Sequence, residues 1–145
     1  MRALTFEVPG EPVGKGRHRT VMRRGKGGQS YLANITPDKT ASYESTVALF
    51  AAQAMAGAPL FEGALELNVI AFFARPKSHP KANPPKWVTK KPDASNLMKA
   101  VEDAMNGVVY KDDSQFAIVR MVRVYDDRPR IAITIAELAK YGDLP

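Results

Sequence analysis

Residues 3–8, Ala-Leu-Thr-Phe-Glu-Val, alternate and are β-prone, which predicts a strand ended by Pro9, Gly10, Pro12, Gly14 and Gly16. The basic, glycine-rich stretch that follows, 15–36, reads as an exposed loop or an irregular hairpin, and Thr36-Pro37 as a helix entry. From Lys39 to about Ala56, apolar residues recur at helical spacing (Tyr43, Val47, Phe50, Ala51 and Ala54), which predicts an amphipathic helix ending at Gly57. Residues 64–74 alternate and then become continuously apolar, as in a well-buried strand. Residues 75–92 hold five prolines and six Lys or Arg, so they form a long basic loop. A second helix is predicted from Asp93 to about Asn106, with Gly107 as its stop and Leu97, Ala100, Val101 and Ala104 on one face. Residues 108–110 suggest a short strand and 116–125 a longer one. Asp126-Asp127-Arg128-Pro129 then suggests a turn, and 130–136 a last strand pairing with 116–125 as a hairpin. This order predicts an α+β (mixed α/β) fold: one domain over 1–145, with a mixed sheet of about four to five strands and two main helices.

Charge changes the picture more than composition does. The formal net charge is +6, the footprint of a protein that meets a polyanion. Positive residues crowd 15–26 and 77–91, and negative ones crowd 93–113. There is no cysteine, which excludes disulfides, thiolate zinc sites and cysteine nucleophiles. The N-terminal stretch lacks the apolar core of a signal peptide and no stretch reaches the length needed to span a bilayer, so the expected location is cytoplasmic.

The acidic stretch suggests the chemistry. On the second helix Asn96, Lys99 and Asp103 share a polar face, Asp93 sits at the tip, and Asp112 and Asp113 follow a short connection that could return them to Asp93. Phosphodiester hydrolysis needs an activated water and a counter-charge for phosphate oxygens. A hard cation held by carboxylates supplies both, with a lysine as a point charge on the phosphate. Each residue also has an ordinary role open to it: Asp93 as an N-cap, Asp112-Asp113 as an exposed turn, Lys99 and Asp103 as an i, i+4 ion pair.

Lys91, Pro92, Asp93, Asn96, Leu97 and Lys99, followed by Asp103, Asn106, Gly107, Asp112, Asp113 and Gln115, resemble the signature of RusA-type Holliday-junction resolvases, the crossover junction endodeoxyribonucleases. The stretch 12–19 with Lys15, Arg17 and Arg19, and the stretch from Thr36-Pro37 to Tyr43-Glu44, are similar to that family too. The resemblance implies a RusA-like fold and a homodimeric, Mg²⁺-dependent phage or prophage enzyme, with Mn²⁺ as a plausible substitute, that nicks four-way or other branched DNA in pairs. It implies metal-ligand roles for Asp93 and Asp113, with Asp112 adjoining, and a catalytic or phosphate-contacting role for Lys99. One position departs: where the family pattern has a second aspartate this chain has Ser95, and Glu102, Asp103 and Asp112 are the carboxylates able to substitute.

Lys15, Arg17 and Arg19, with His18, Arg23, Arg24 and Lys26 nearby, form an expected DNA-binding arm, and Lys77, Lys81, Lys86, Lys90 and Lys91 a second candidate surface around Trp87. Trp87 reads first as packing its loop onto the core, and otherwise as stacking on an exposed base. Arg120 and Arg123 fall on opposite strand faces, and His18 and His79 carry no assigned chemistry. Two other functions fit the same residues: a branched-DNA-binding protein weakened at Ser95, and a basic phage structural or assembly protein.

Overall fold

The period of two in the strands and of 3.6 in the helices sets one sheet face against two helices. The computed structural model describes residues 1–16, 19–35 and 38–142; Arg17, His18, the expected helix entry at Thr36-Pro37 and residues 143–145 lie outside the described residues. The main sheet has the order β1-β6-β4-β5, with β1 Ala3–Pro9, β4 Leu65–Ala74, β5 Phe116–Asp126 and β6 Arg130–Glu137. Leu65, Leu67, Val69, Ala71 and Phe73 of β4 and Ile131, Ile133 and Ile135 of β6 point to one face and are buried. Against that face lie Tyr43, Val47, Ala51 and Met55 of α1 (Asp38–Met55) and Leu97, Met98, Ala100, Val101, Ala104 and Met105 of α2 (Ala94–Met105). The result is a two-layer α+β fold with one core.

β4 and β5 are parallel, so the chain must cross over between them, and α2 makes that crossover. The crossover places the start of α2 near the second half of β5, where the segment before the helix joins the sheet edge. There Val88 N donates to Arg123 O (3.2 Å) and Tyr125 N to Lys86 O (3.0 Å).

Four expectations change. β5 and β6 are not a hairpin: residues 127–129 carry the chain across the end of β4, and β6 pairs with β1 and β4. Residues 108–110 are not a strand; Val109 and Tyr110 are buried in an irregular turn bridged to Phe61 and Asn106. β4 is buried on one face only, with Ile70 39% exposed on the other and Phe72 covered by the Arg130 guanidinium at 3.7 Å. The Trp87 indole does not pack the loop; it is 59% exposed, and Val88 is the buried residue there. The choice left open for 15–36 resolves to a hairpin, β2 (Arg19–Arg24) with β3 (Ser30–Ile35), forming its own two-stranded sheet.

Candidate active site

The site begins at the cap of α2. Asp93 is the N-cap, and its Oδ1 accepts from Asn96 N at 2.8 Å, so the cap role read from the sequence is real and uses one carboxylate oxygen. The chain leading into the cap is fixed from β5: Arg123 Nη1 donates to Lys90 O (2.9 Å) and Pro92 O (3.1 Å). On the other side runs the loop 12–16. Gly14 is required there, because a Cβ would stand 2.6 Å from Pro92 Cβ, and Lys15 N donates to Asn96 O at 3.0 Å. A cleft between this loop and the start of α2 is lined by Lys15, Lys39, Lys91 and Asp93.

Below the cap, charges alternate across four elements. Lys15 Nζ lies 2.6 Å from Glu44 Oε1 on α1 and 3.1 Å from Asp103 Oδ2 on α2. The other Asp103 oxygen, Oδ1, lies 3.2 Å from Lys99 Nζ, which in turn stands 3.9 Å from Asp113 Oδ2. Asp103 holds the Lys99 ammonium above its ordinary value, with a smaller push from Asp113. Partial burial pulls Lys15 down, but its bonds to Glu44 and Asp103 more than reverse that and leave it raised. Asp103 is thus not on a freely solvated face; it is shared by two lysines.

Asp113 reaches Lys99 because its turn is tied down. Asp112 caps a single 3-10 turn, Asp113–Gln115, accepting from Ser114 N (3.3 Å) and from the Ser114 hydroxyl. These Ser114 bonds hold the Asp112 carboxyl below its usual range. Gln115 Oε1 accepts from Lys111 N (3.0 Å) and Asp112 N (3.1 Å), while its Nε2 donates to Phe61 O and Gly63 O, both at 3.1 Å. The chain between α2 and this turn is set by Gly107, at φ 76°, and by buried Tyr110, whose hydroxyl donates to Glu102 O at 2.6 Å.

Glu102 lies with Ser95 and Lys99 along an open groove walled by Val119 and Met121 of β5. Burial, and after it the negative charge of Asp113, pushes its carboxyl above the ordinary value. Among the described residues, no group of three or more His, Cys, Asp or Glu side chains is arranged to hold a metal ion. The donors present still suit Mg²⁺: they are oxygens, and Mg²⁺ is commonly held by one or two carboxylates with waters and substrate phosphates completing its shell.

The structure therefore brings Lys99, Asp103, Asp113 and Glu102 together, with Asp93 at the tip of the same helix and Asp112 turned into its cap. Lys90 and Lys91 are exposed beside that tip. Lys15 is largely enclosed, its side chain 17% exposed against 55% for Lys99. Arg19 opens β2, and Arg23, Arg24 and Lys26 are exposed along the hairpin. The sequence singled out neither Arg123 as the brace of the cap nor Glu44 as the partner of Lys15; no local pattern marks either, because both act across more than 25 residues of chain.

Comparison with known proteins agrees with this frame. The family model for endodeoxyribonuclease RusA matches residues 9–136. The chain is 32% identical over 147 residues to the uncharacterized protein YqaN of Bacillus subtilis (strain 168), covering 96% of this chain and 99% of that one. It is also 37% identical over 75 residues to the crossover junction endodeoxyribonuclease rusA of Lactococcus phage r1t, covering 51% of this chain and 55% of the phage protein. With the match spanning the capped helix, the lysine between its carboxylates and the glutamine-tied turn, the chain belongs to the RusA endodeoxyribonuclease family.

Proposed function

We propose that this protein is a Mg²⁺-dependent endonuclease that resolves four-way DNA junctions by paired nicks, acting as a homodimer in the cytoplasm, in a phage or prophage setting. The observation that carries the reading is the Lys99 ammonium between Asp103 and Asp113, on a helix whose Asp93 end opens onto a cleft lined by Lys39 and Lys91. Asp93 and Asp113 would hold the cation, with Asp112 adjoining. Bound there, the cation supplies an activated water and neutralises charge on the scissile phosphate. Lys99 places a second positive charge beside that phosphate. Glu102 is our choice for the third carboxylate. Asp103 is held by two lysines and Asp112 by its cap, whereas Glu102 faces the groove beside Ser95. Lys90, Lys91, Arg17 and Arg19 would follow the DNA backbone. Two copies related by a two-fold axis would match the symmetry of a junction and cut two strands.

The test is cleavage of a labelled four-way junction and a matched linear duplex in Mg²⁺, Mn²⁺ or EDTA, with Asp113→Asn alongside. Paired nicks in the junction alone, lost in EDTA and in the variant, are expected. A serine where the family pattern has a carboxylate favours one second reading, branched-DNA binding without cutting. Tight junction binding with no nicks in either metal would select it. Neither binding nor cutting would leave the structural-protein reading.

A further inference from the structure

We propose that Lys15 is a positioning residue that sets the place of Lys99 through Asp103, an inference that rests on the nuclease reading above. A basic residue in a glycine-rich segment suggests a phosphate contact, but the geometry of this lysine is that of an internal tie. Its backbone is fixed by Lys15 N to Asn96 O (3.0 Å), and its neighbours by Gly16 N to Thr40 Oγ1 (2.9 Å) and Thr40 Oγ1 to Gly14 O (3.3 Å). Its ammonium is then directed at Glu44 Oε1 and Asp103 Oδ2, leaving little of the side chain exposed.

The consequence lies in how Asp103 divides its two oxygens. Oδ2 is taken by Lys15, so only Oδ1 faces Lys99, at 3.2 Å. One oxygen holds the Lys99 ammonium loosely enough for it to stand 3.9 Å from Asp113 as well. Without the Lys15 charge, Asp103 is free to turn and take Lys99 with both oxygens, drawing the ammonium away from Asp113 and from any phosphate held there. Displacements of about 1 Å at a reacting group cost on the order of 100-fold in rate.

The experiment compares the full-length wild type with Lys15→Met, Lys15→Arg, Asp103→Asn and the double variant. Junction cleavage is followed in Mg²⁺, binding in EDTA at several salt concentrations, and folding by thermal melting. We expect Lys15→Met to lose about 10- to 100-fold in kcat at saturating junction, with Kd and its salt dependence unchanged. Lys15→Arg should recover most of the rate. In the Asp103→Asn background Lys15→Met should cost nothing more, because the two act as one unit. A weaker Kd and a salt slope lower by about one, with kcat kept, would mark a phosphate contact and overturn the proposal. A lower melting point with unchanged kcat would mark a purely structural tie and also overturn it. If Lys15→Met does not fold, Glu44→Gln loosens the far side of the lysine; it should lower kcat without changing Kd, and an unchanged kcat overturns the proposal. A wild type that fails to cut in Mg²⁺ or Mn²⁺ removes the nuclease reading itself and this proposal with it, a result visible before any variant is read.

Discussion

The Lys99 ammonium stands 3.9 Å from Asp113 Oδ2, though one residue belongs to a helix and the other to the turn beyond it. That contact depends on the turn being tied back through Gln115 to Phe61 and Gly63. Lys99→Met should therefore slow junction cutting by roughly 100-fold or more while leaving junction binding near the wild-type level, since under the proposed function it removes a charge that would stand beside the reacting phosphate. Single-turnover cleavage and fluorescence anisotropy separate the two. A variant that cuts at the wild-type rate would place this lysine outside the chemistry.

Glu102 gives a prediction about pH. Burial, and after it the charge of Asp113, raises its folded-state pKa above the ordinary carboxylate value, so the folded protein favours the neutral form. The stability this contributes is fully present below the unfolded pKa and is lost as pH rises through the folded one. In EDTA, Glu102→Gln should therefore melt higher than wild type at pH 7, by about 1–3 °C for a partly buried group. The advantage should vanish in acid. Adding Mn²⁺ should reverse the order at pH 7 if Glu102 is a ligand, because only the wild type gains the full binding energy. Equal metal-induced shifts in both proteins would remove Glu102 from the ligand set.

Arg123 donates twice to the chain entering α2, and Ala cannot replace either bond. Arg123→Ala should cost about 1.5–3 kcal/mol in urea unfolding, in line with hydrogen bonds from a charged donor. It should also raise hydrogen exchange at Val88, whose amide donates to Arg123 O at 3.2 Å on the edge of β5. Unchanged exchange there would mean that the sheet-edge pairing, not the guanidinium, holds the segment.

Trp87 is exposed beside Lys86, whose Nζ lies 4.8 Å from the ring centroid. An exposed indole next to a basic surface is suited to stacking on an unpaired base, worth about 1–3 kcal/mol per base. Trp87→Ala should weaken binding to a junction roughly 5- to 100-fold and leave the melting temperature within about 1 °C. An equal loss on linear duplex, whose bases are stacked, would argue against base stacking as the cause.

The helices were legible in the sequence because their evidence is local. Leu97, Ala100, Val101 and Ala104 mark a face by spacing alone, and Asp93 and Gly107 mark the ends of α2. Asp113, which follows the helix in the motif, stands 3.9 Å from Lys99 on it. Pairing of strands was not local and was misread: a turn-like Asp-Asp-Arg-Pro between two strands looks like a hairpin, yet residues 127–129 pass over β4. Sequential strands pair more often than not, and here that tendency loses to the central place of β6, whose three buried isoleucines need β1 and β4 on either side. The ion pairs around Lys15 were illegible for the same reason, since Glu44 and Asp103 come to it only through packing of α1 on α2.

The central place of β6 also orders events during synthesis. Among the described residues β6 follows every other strand in sequence, and β1 pairs within the main sheet with β6 alone. Until residues 130–137 leave the ribosome, β1 and β4 each present an unpaired edge, which is the usual invitation to mispairing. A nascent chain can therefore build α2 and its acidic turn long before the sheet that steadies them is closed, and long-range closure of this kind is slow. A product stopping before Arg130 would therefore carry α2 and its acidic turn on an incomplete scaffold.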